Sequence, residues 1–531
     1  MSDGSFWSLF KARYLVKKPL ASAATQAERS ELRRTLGAFE LTALGVGAIV
    51  GAGIFATIGA VTSGYTGPAV ILSILLIAAF SAVVALAYTE LATMMPLGGS
   101  AYSYTYTSLG ELLAWLTVWA LMAGYVIGNM AVATSFAANL QGLLEPAGLV
   151  LPPALRSIAT PENPQGAFDL FGFLVCLLVT VLLLRPVKES ARANTAMVVV
   201  KIAILVAFVA VAVPHIDSLN YQPFFKATLD VALPGGFTVP GALTAVVAGA
   251  GLIFFAFIGF DAVSTAAEET KNPSRDIPLG ILGSLAVCAL LYIAVALALT
   301  GVLPLERITS GDPLADALRE IGYGPLAIVM NAGGLLASLS VLLVFQLGAS
   351  RILYTLSRDG LLPGWFGVVS AKHATPNRIT IAVGIFTAIG AGFLPLTFLL
   401  ELTNVGTLFA FALVLASVPI LRKAAPNAAR PFRSPGSPWL PLLGIVTCVL
   451  LTLFFSAAAW LGFVLWMGAG LMIYAAYGAR HSRMRAPALE EALSAPDPDL
   501  RPVPIAGVSN GAPEARPGAL ARLAQKGNQK K

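Results

Sequence analysis

Charged residues are scarce in this chain of 531 residues: Asp, Glu, Lys and Arg make up 11% of it, and hydrophobic residues make up 57%. A soluble globular domain is about a quarter charged. The composition therefore excludes an ordinary soluble enzyme, a disordered protein and a nucleic-acid-binding domain. The mean hydropathy of +0.80 instead predicts an all-α integral membrane protein, since a spanning helix needs about 20 mostly apolar residues.

Cysteine and histidine are equally rare, with three of each in the chain. The cysteines lie in apolar runs without metal-ligand spacing, which disfavours a disulfide framework and a metal site. The histidines are dispersed, and the chain has no phosphate loop, zinc motif or dinucleotide fingerprint. We therefore expect neither an enzyme nor a cofactor, and an integral-membrane enzyme or a channel is a remote alternative. The residues are Cys176, Cys288, Cys448, His215, His373 and His481.

Twelve apolar runs, separated by short polar segments, account for most of the chain. We number them as spans one to twelve in chain order. They lie at about 39–62, 67–92, 110–142, 168–184, 192–214, 241–266, 278–303, 323–350, 378–397, 401–421, 438–458 and 460–478.

Positive charge is concentrated in alternate loops. With both termini on one side, that side holds 29 Lys and Arg residues and the other holds four. Cytoplasmic loops carry an excess of these residues, so the sequence predicts a multi-pass protein with both termini cytoplasmic. The net charge of +7 is then a consequence of topology and does not indicate nucleic acid as a partner. The compact loops favour the inner membrane of a prokaryote.

The two tails differ in composition. Residues 1–38 mix aromatic side chains such as Phe6 and Trp7 with basic ones such as Lys11 and Arg13. This mixture fits either an interfacial helix on the anionic inner leaflet or a disordered tail. Residues 481–531 are rich in Pro, Ala and Gly and are predicted to be disordered. The single transporter-type domain would then occupy residues 39–480.

Two spans contain helix-weakening glycines at their centres. Span one carries GVGAIVGAGIF at 45–55, and span six carries GAG at 249–251 followed by FAFIGFD at 255–261. Each glycine weakens a helix by about 1 kcal/mol relative to alanine. Close packing of small residues is one explanation, but interruptions at matched positions of two halves point to a transporter site. We therefore predict two inverted five-helix repeats, at about 39–214 and 241–421, plus two added helices at 438–478.

Four segments carry a resemblance to a known family. They are GVGAIVGAGIF, PLGGSAYSYTY at 96–106, FFAFIGFDAVSTAAEETKNPSRDIPLGI after residue 253, and SRDGLLP at 357–363. From about Arg34 to Arg480 the chain resembles the amino acid–polyamine–organocation superfamily, and most of all the bacterial relatives of the cationic amino acid transporters. The resemblance implies the leucine-transporter-type fold, with broken helices one and six and a central amino-acid site.

The same resemblance implies how a substrate would bind. Half-helix N-termini offer N–H groups to a carboxylate, and unwound carbonyls accept from an ammonium group. The carboxylate would lie on the backbone of Val50, Gly51, Ala52 and Gly53. The ammonium would lie on the carbonyls of Ile49, Phe255, Ala256 and Ile258, and Phe255 would also cover the substrate.

Side-chain selectivity is predicted from spans three and eight. Related bacterial carriers can have a Glu before a Tyr in span three, where this chain has Gly124 before Tyr125. Without that acid a cationic substrate has no evident counter-ion, and an unpaired buried cation is costly. Phe345 would make the pocket apolar. We therefore expect neutral amino acids, small or apolar, with cationic amino acids as the alternative.

Lys201 and Asp261 are the ionisable residues placed deepest in these spans. Lys201 lies near the middle of span five, and ionisable residues in the membrane are functional hypotheses by default. The resemblance implies that its ammonium replaces the cation of sodium-coupled members, either as a proton carrier or as a fixed structural cation. Asp261 either caps the helix after the break, as Asp commonly does, or is a second proton-linked group.

Together these observations predict a secondary active amino acid transporter with protons and an amino acid as ligands and the lipid bilayer as surroundings. Symport, exchange and uncoupled facilitation all remain open. The sequence also leaves open whether a small membrane subunit binds.

Overall fold

The computed structural model describes residues 16–20, 34–51, 53–145, 148–159, 164–185, 187–226, 231–232, 238–239, 241–308, 313–370 and 375–483. The predicted interfacial segment around Phe6 and Lys11 lies outside these residues. So do Ala52 and the C-terminal tail from residue 484 onward.

Regular secondary structure in the described residues is helical, apart from one antiparallel pair of two-residue strands, Val231–Ala232 and Thr238–Val239. Eight described helical stretches are long and apolar enough to cross a membrane, so the chain is a multi-pass membrane protein. They are Ile58–Met94, Glu111–Leu144, Asn194–His215, Ala242–Thr265, Pro273–Val302, Gly324–Arg358, Leu396–Ala424 and Ala457–His481. Shorter apolar helices are Ala38–Ile49, Leu170–Leu183, Asn377–Phe393 and Trp439–Thr452.

Several of these stretches change helix type along their length. The π-helical segments are Gly53–Thr57, Thr62–Thr66, Ala123–Ile127 and Tyr474–Gly478. The α-helical pieces between or beside them are Ile58–Val61, Val70–Met94, Glu111–Met122, Gly128–Leu144, Val187–Ala212, Ala242–Ile253, Ala262–Thr265, Ala457–Ile473 and Ala479–His481. Three short α-helices, Ala101–Ser108, Pro153–Arg156 and Pro313–Glu320, lie between spans. The 3₁₀ turns are Gly67–Ala69, Val213–His215, Ser218–Tyr221, Phe254–Phe257, Ala267–Glu269, Leu305–Arg307 and Gly364–Gly367.

Two predicted boundaries were wrong. The expected break between spans one and two is present, because Gly67 turns the chain with φ of 62° and a proline follows it before the next α-helix begins at Val70. The span-eight helix runs on to Arg358 because Arg351 and Arg358 are paired with carboxylates and need no solvent. The span-eleven helix ends at Thr452, before its apolar run ends.

The packing of the spans follows a reciprocal pattern. The first half of span one packs against span seven, and the first half of span six packs against span two. Span three packs against span eight, and span four against span nine. Spans eleven and twelve pack on span ten at the periphery. The two interrupted spans therefore lie inside the bundle, where most of their side chains are buried.

Buried ion pairs close the end of the bundle at which Leu36 and Thr270 form a parallel β-bridge; we call this end the N face. Burial raises the pKa of the Glu269 carboxyl, and its neighbour Arg351 partly offsets that effect. At the N face the chain segment around Lys18 is held against the loop after span eight. The pairs are Lys18–Asp359, Arg351–Glu269, Arg358–Glu268 and Arg422–Glu90, with N···O distances of 2.9, 2.6, 3.2 and 2.5 Å.

Candidate functional site

The first helix breaks where the glycine pattern predicts. The helix ends at Ile49, Val50 is extended with φ of −77° and ψ of 95°, and helical structure resumes at Gly53. A helix end leaves its last carbonyls without intrahelical partners. Here these carbonyls are buried, so they need hydrogen-bond donors from other spans.

The second break lies in span six and is sharper. Its first helix tightens into the 3₁₀ turn Phe254–Phe257, after which Ile258 is extended with ψ of 136°. Gly259 follows with φ of 128°, a backbone conformation that residues with a Cβ rarely adopt. A Cβ at this position would also lie 2.7 Å from the Cβ of Ala48. Glycine is therefore required at this break for conformation and for space.

The two breaks lie directly against each other. A Cβ added to Gly53 would lie 2.4 Å from the Cα of Ala256, so the two backbones touch. The hydroxyl of Tyr292, in span seven, donates to the carbonyl oxygens of Ile49 at 2.9 Å and Ala256 at 3.1 Å. One side chain therefore joins the unwound carbonyls of both spans.

Lys201 supplies the donors for the rest of the first break. Its Nζ donates to the carbonyl oxygens of Gly47 at 3.0 Å and Val50 at 2.5 Å, and to the hydroxyl of Ser340 at 3.3 Å. A lysine ammonium has three protons and no acceptor, so these three contacts use all of them. The side chain is fully buried. The oxygen atoms of two carbonyls and a hydroxyl are ligands of the kind that surround a bound cation.

Ser340 extends this network toward the start of span five. Its hydroxyl donates to the Oδ1 of Asn194 at 2.6 Å, and the Nδ2 of Asn194 donates to the carbonyl of Ala43 at 3.3 Å. Spans one, five and eight are thus held together through Lys201, Ser340 and Asn194. The sequence analysis missed Ser340, Asn194 and Tyr292, although a tyrosine inside the apolar run of span seven is a signal that could have been followed.

Asp261 does not cap the helix that follows it, so that alternative was wrong. Its side chain makes no capping hydrogen bond, and its Oδ2 accepts from the hydroxyl of Tyr125 at 2.8 Å. The hydrogen bond from Tyr125 in span three orients this carboxylate, which makes no capping hydrogen bond to the backbone amides of Ala262–Thr265. Through this hydrogen bond the buried Asp261 couples the second half of span six to span three.

Span three presents its π-helical segment Ala123–Ile127 to the site. Tyr125 packs edge-on against Phe345, with ring centroids 5.4 Å apart. Gly124 lies against span ten, because a Cβ there would meet the Oγ1 of Thr407 at 2.6 Å. Gly128 is the glycine next to Phe345, since its Cβ would lie 3.4 Å from that ring.

The remaining predicted site residues are all enclosed in protein. Val50 is fully buried, Ile258 and Phe345 are 4% and 2% exposed, and Phe255 is 6% exposed. Gly51 faces span eight, where a Cβ would meet the Cγ2 of Val341 at 2.3 Å. The described residues thus form a closed site, and Ala52, which the sequence analysis includes, lies outside them.

Non-helical backbone at membrane depth is tolerated only where it is buried in protein or lines a cavity. Two such interruptions in contact, braced by a buried lysine and a tyrosine, define a transporter-type membrane protein. The sequence matches the amino acid permease family over residues 36–481, and the chain belongs to this family. The resemblance noted from the sequence motifs is thereby confirmed.

Relatives include proteins with different substrates in their names. The methylthioribose transporter of Bacillus subtilis (strain 168) is 39% identical over 467 residues, covering 88% of this chain and 98% of that protein. The branched-chain amino acid permease BcaP of the same organism is 40% identical over 468 residues, covering 87% and 96%. The vacuolar cationic amino acid transporter 4 of Arabidopsis thaliana is 34% identical over 397 residues, covering 75% and 64%.

Proposed function

We propose that this chain is a secondary active transporter that takes up neutral L-amino acids together with protons by alternating access. The observation that carries the proposal is the contact between the two helix breaks, where the carbonyls of Ile49 and Ala256 share the hydroxyl of Tyr292. A zwitterion needs donors for one end and acceptors for the other. Two interrupted helices in contact supply both from backbone.

Each end of an amino acid has its own group of backbone atoms. The carboxylate lies at the start of the second half of span one, on the N–H groups of Gly51, Ala52 and Gly53, where the helix dipole also favours negative charge. The N–H of Val50, which the sequence also suggested, donates to the carbonyl of Val46 at 2.9 Å and is not free for the substrate. The ammonium lies on the carbonyls of Ile49, Phe255, Ala256 and Ile258. Ile49 and Ala256 already accept from Tyr292, but a carbonyl oxygen has two lone pairs and keeps one for the substrate.

The substrate side chain is selected by apolar contacts. Phe255 and Phe345 are both buried beside the breaks, and hydrophobic surroundings favour an apolar side chain. The relative BcaP carries branched-chain amino acids in its name, which supports the same preference here. A cationic substrate would have to pair with Asp261, whose Oδ2 accepts from Tyr125 and whose Oδ1 has no hydrogen-bond partner among the described residues.

Proton coupling is assigned to Lys201. The protonated side chain ties the broken end of span one to span eight through its three hydrogen bonds. A neutral amine has one proton fewer and cannot donate all three of these hydrogen bonds, which weakens the tie. Proton release then frees the first half of span one to move, and reprotonation restores the closed arrangement. Asp261, held by Tyr125, is the second candidate for a proton-linked group.

The topology proposal follows the packing. Pairing of span one with seven, and of span six with two, is the pattern expected when two five-helix repeats are related by an inverting axis. Twelve crossings, with both termini cytoplasmic in a prokaryotic cell membrane, complete the proposal. The N face is then cytoplasmic, in keeping with the charge bias of the loops.

A second candidate is transport of methylthioribose, because a relative of that name is 39% identical to this chain. An uncharged sugar thioether has neither a carboxylate nor an ammonium group. It would use the apolar contacts of Phe255 and Phe345 and leave the charge-binding ends of the two breaks unused.

Thermal stabilisation of the purified protein distinguishes these substrates. A ligand that binds only the folded state stabilises it by about 2.7 kcal/mol at a hundredfold excess over Kd. We expect stabilisation by leucine, isoleucine or valine, and none by leucinol or N-acetyl-leucine, each of which lacks one charged end. Stabilisation only by arginine, lysine and ornithine would overturn the neutral specificity. Stabilisation only by methylthioribose would overturn the amino-acid assignment.

A further inference from the structure

A deep groove lies on the outer surface of the bundle between spans three, eight, nine and twelve. Its volume is about 730 Å³, and Trp119, Val383, Trp466 and Ile473 are among the residues that line it. Ile473 is 39% exposed, so the groove opens to the surroundings of the helices. No part of the proposed transport mechanism uses it.

The two indole side chains in the wall of this groove have no free N–H donor. The Nε1 of Trp119 donates to the carbonyl of Trp466 at 2.6 Å, and the Nε1 of Trp466 donates to the carbonyl of Trp119 at 2.8 Å. This reciprocal pair uses both indole donors, and the rings stack with centroids 5.0 Å apart. Water needs two or more polar partners in a cavity, so the groove suits a hydrocarbon occupant.

The groove has a cationic rim at the N face. Arg378, in the first turn of span nine, is exposed and lies 5.5 Å from the ring of Trp365, whose neighbour Phe366 lines the groove. On the other side the groove residue Tyr477 is followed by exposed Arg480. A guanidinium binds phosphate through two parallel hydrogen bonds. The Lys and Arg bias of the loops places this face at the cytoplasmic leaflet, which is enriched in anionic lipids.

We propose that this groove is a binding site for an anionic phospholipid, with one acyl chain against the two tryptophans and the phosphate on Arg378. The acyl chain lies behind the π-helical segment of span three, because Met122 and Val126 line the groove on either side of Tyr125. Tyr125 holds Asp261 at the second helix break. The bound lipid thus braces the segment that positions Tyr125 and Phe345, and its occupancy regulates transport.

The test uses the delipidated full-length protein in detergent, titrated with phosphatidylglycerol or phosphatidylcholine. We expect saturable thermal stabilisation by phosphatidylglycerol and at least a threefold weaker apparent affinity for phosphatidylcholine. Arg378→Gln should remove this preference. Ala382→Trp and Ala469→Trp, which fill the groove from opposite walls, should abolish saturation, whereas Val464→Trp on the exposed face of span twelve should not.

Two results would overturn the proposal. One is saturable stabilisation by phosphatidylglycerol that is undiminished in both groove-filling variants when both variants fold. This result would place the lipid elsewhere. The other is a small membrane protein that copurifies with the wild type and is lost from these variants, which would make the groove a helix-docking surface. Uptake in phosphatidylglycerol liposomes provides the functional readout, and we expect it to fall at least threefold in the groove-filling variants and to be unchanged in Val464→Trp.

Discussion

The Nζ atom of Lys201 lies 2.5 Å from the carbonyl oxygen of Val50, at the residue where the first helix breaks. The backbone that a helix leaves unpaired is thus satisfied by a cation from span five. If that cation carries the transported proton, the coupling step acts directly on the backbone that binds substrate.

Lys201→Met tests this link. We expect the variant to lose accumulation driven by a proton gradient while it still exchanges labelled for unlabelled substrate. The carbonyl of Val50 loses its donor, whereas that of Gly47 can still accept from Ser340. An unsatisfied buried acceptor costs about 1–3 kcal/mol, so the melting temperature should also fall. Lys201→Arg, which cannot release its proton, should bind substrate without accumulating it. Proton-driven accumulation by either variant would contradict the coupling role.

Gly53→Val tests the contact between the two breaks. The new side chain would meet the Cα of Ala256 at 2.4 Å, where backbone must move. We expect substrate binding to weaken at least tenfold by thermal titration. Gly64→Val, just beyond the end of span one, is the matched control, because a Cβ there meets nothing within 4 Å. Equal effects of the two substitutions would show that the contact at Ala256 is unimportant.

Tyr292→Phe removes one hydroxyl that serves two carbonyls. The hydroxyl has one proton, which the two carbonyls share, and a lost hydrogen bond costs about 1 kcal/mol. We therefore expect a lower melting temperature and weaker substrate affinity. Tyr88→Phe is the control, because the hydroxyl of Tyr88 is buried without a hydrogen-bond partner among the described residues. If Tyr292→Phe proves as silent as this control, the hydroxyl bridge between spans one and six has no energetic role.

Lys18→Met leaves Asp359 buried without its cation. Breaking a buried ion pair by removing one partner costs about 3–5 kcal/mol. Tyr102 also donates to the Oδ2 of Asp359 at 2.9 Å, which offsets part of this cost. We expect a clear fall in melting temperature, whereas Arg319→Met, at an exposed pair with Asp316, should change it little. Asp359→Asn added to Lys18→Met should restore part of the loss, and failure to do so would argue against a charge effect.

Gly128→Ala and Gly124→Glu separate two positions on span three. Gly128 lies next to Phe345, so we expect Gly128→Ala to reduce uptake of leucine relative to alanine. Gly124 lies against span ten, and any side chain there requires Thr407 to shift, because a Cβ would lie 2.6 Å from its Oγ1. We expect Gly124→Glu to exclude leucine-sized substrates. Unchanged leucine uptake by Gly124→Glu would remove this residue from the site.

The sequence was informative where one residue type has one physical consequence. Apolar runs predicted the spans, and the glycines around Gly51 and at Gly259 predicted the two breaks, because a helix interior disfavours glycine. Gly249 and Gly251 were misleading, since both lie inside the continuous helix Ala242–Ile253. A lysine in an apolar run likewise predicted a buried cation. The family resemblance added the expected roles of these residues.

Other features depend on three-dimensional partners that one sequence does not reveal. Asp261 is equally suitable as a helix cap and as a hydrogen-bond acceptor, and only the position of Tyr125 decides between them. The hydroxyl of Tyr292 is distant in sequence from the carbonyls that accept from it, and the hydroxyl of Ser340 is distant from Asn194. The continuation of span eight to Arg358 depends on carboxylates from the segment after span six.

Uptake of labelled L-leucine into proteoliposomes with an acidic exterior measures the proposed proton coupling itself. We expect accumulation above the external concentration that collapses when a protonophore removes the gradient and that is lost in Lys201→Met. Uptake that reaches only the external concentration in wild type, or that ignores the proton gradient, would contradict proton-coupled transport of a neutral amino acid.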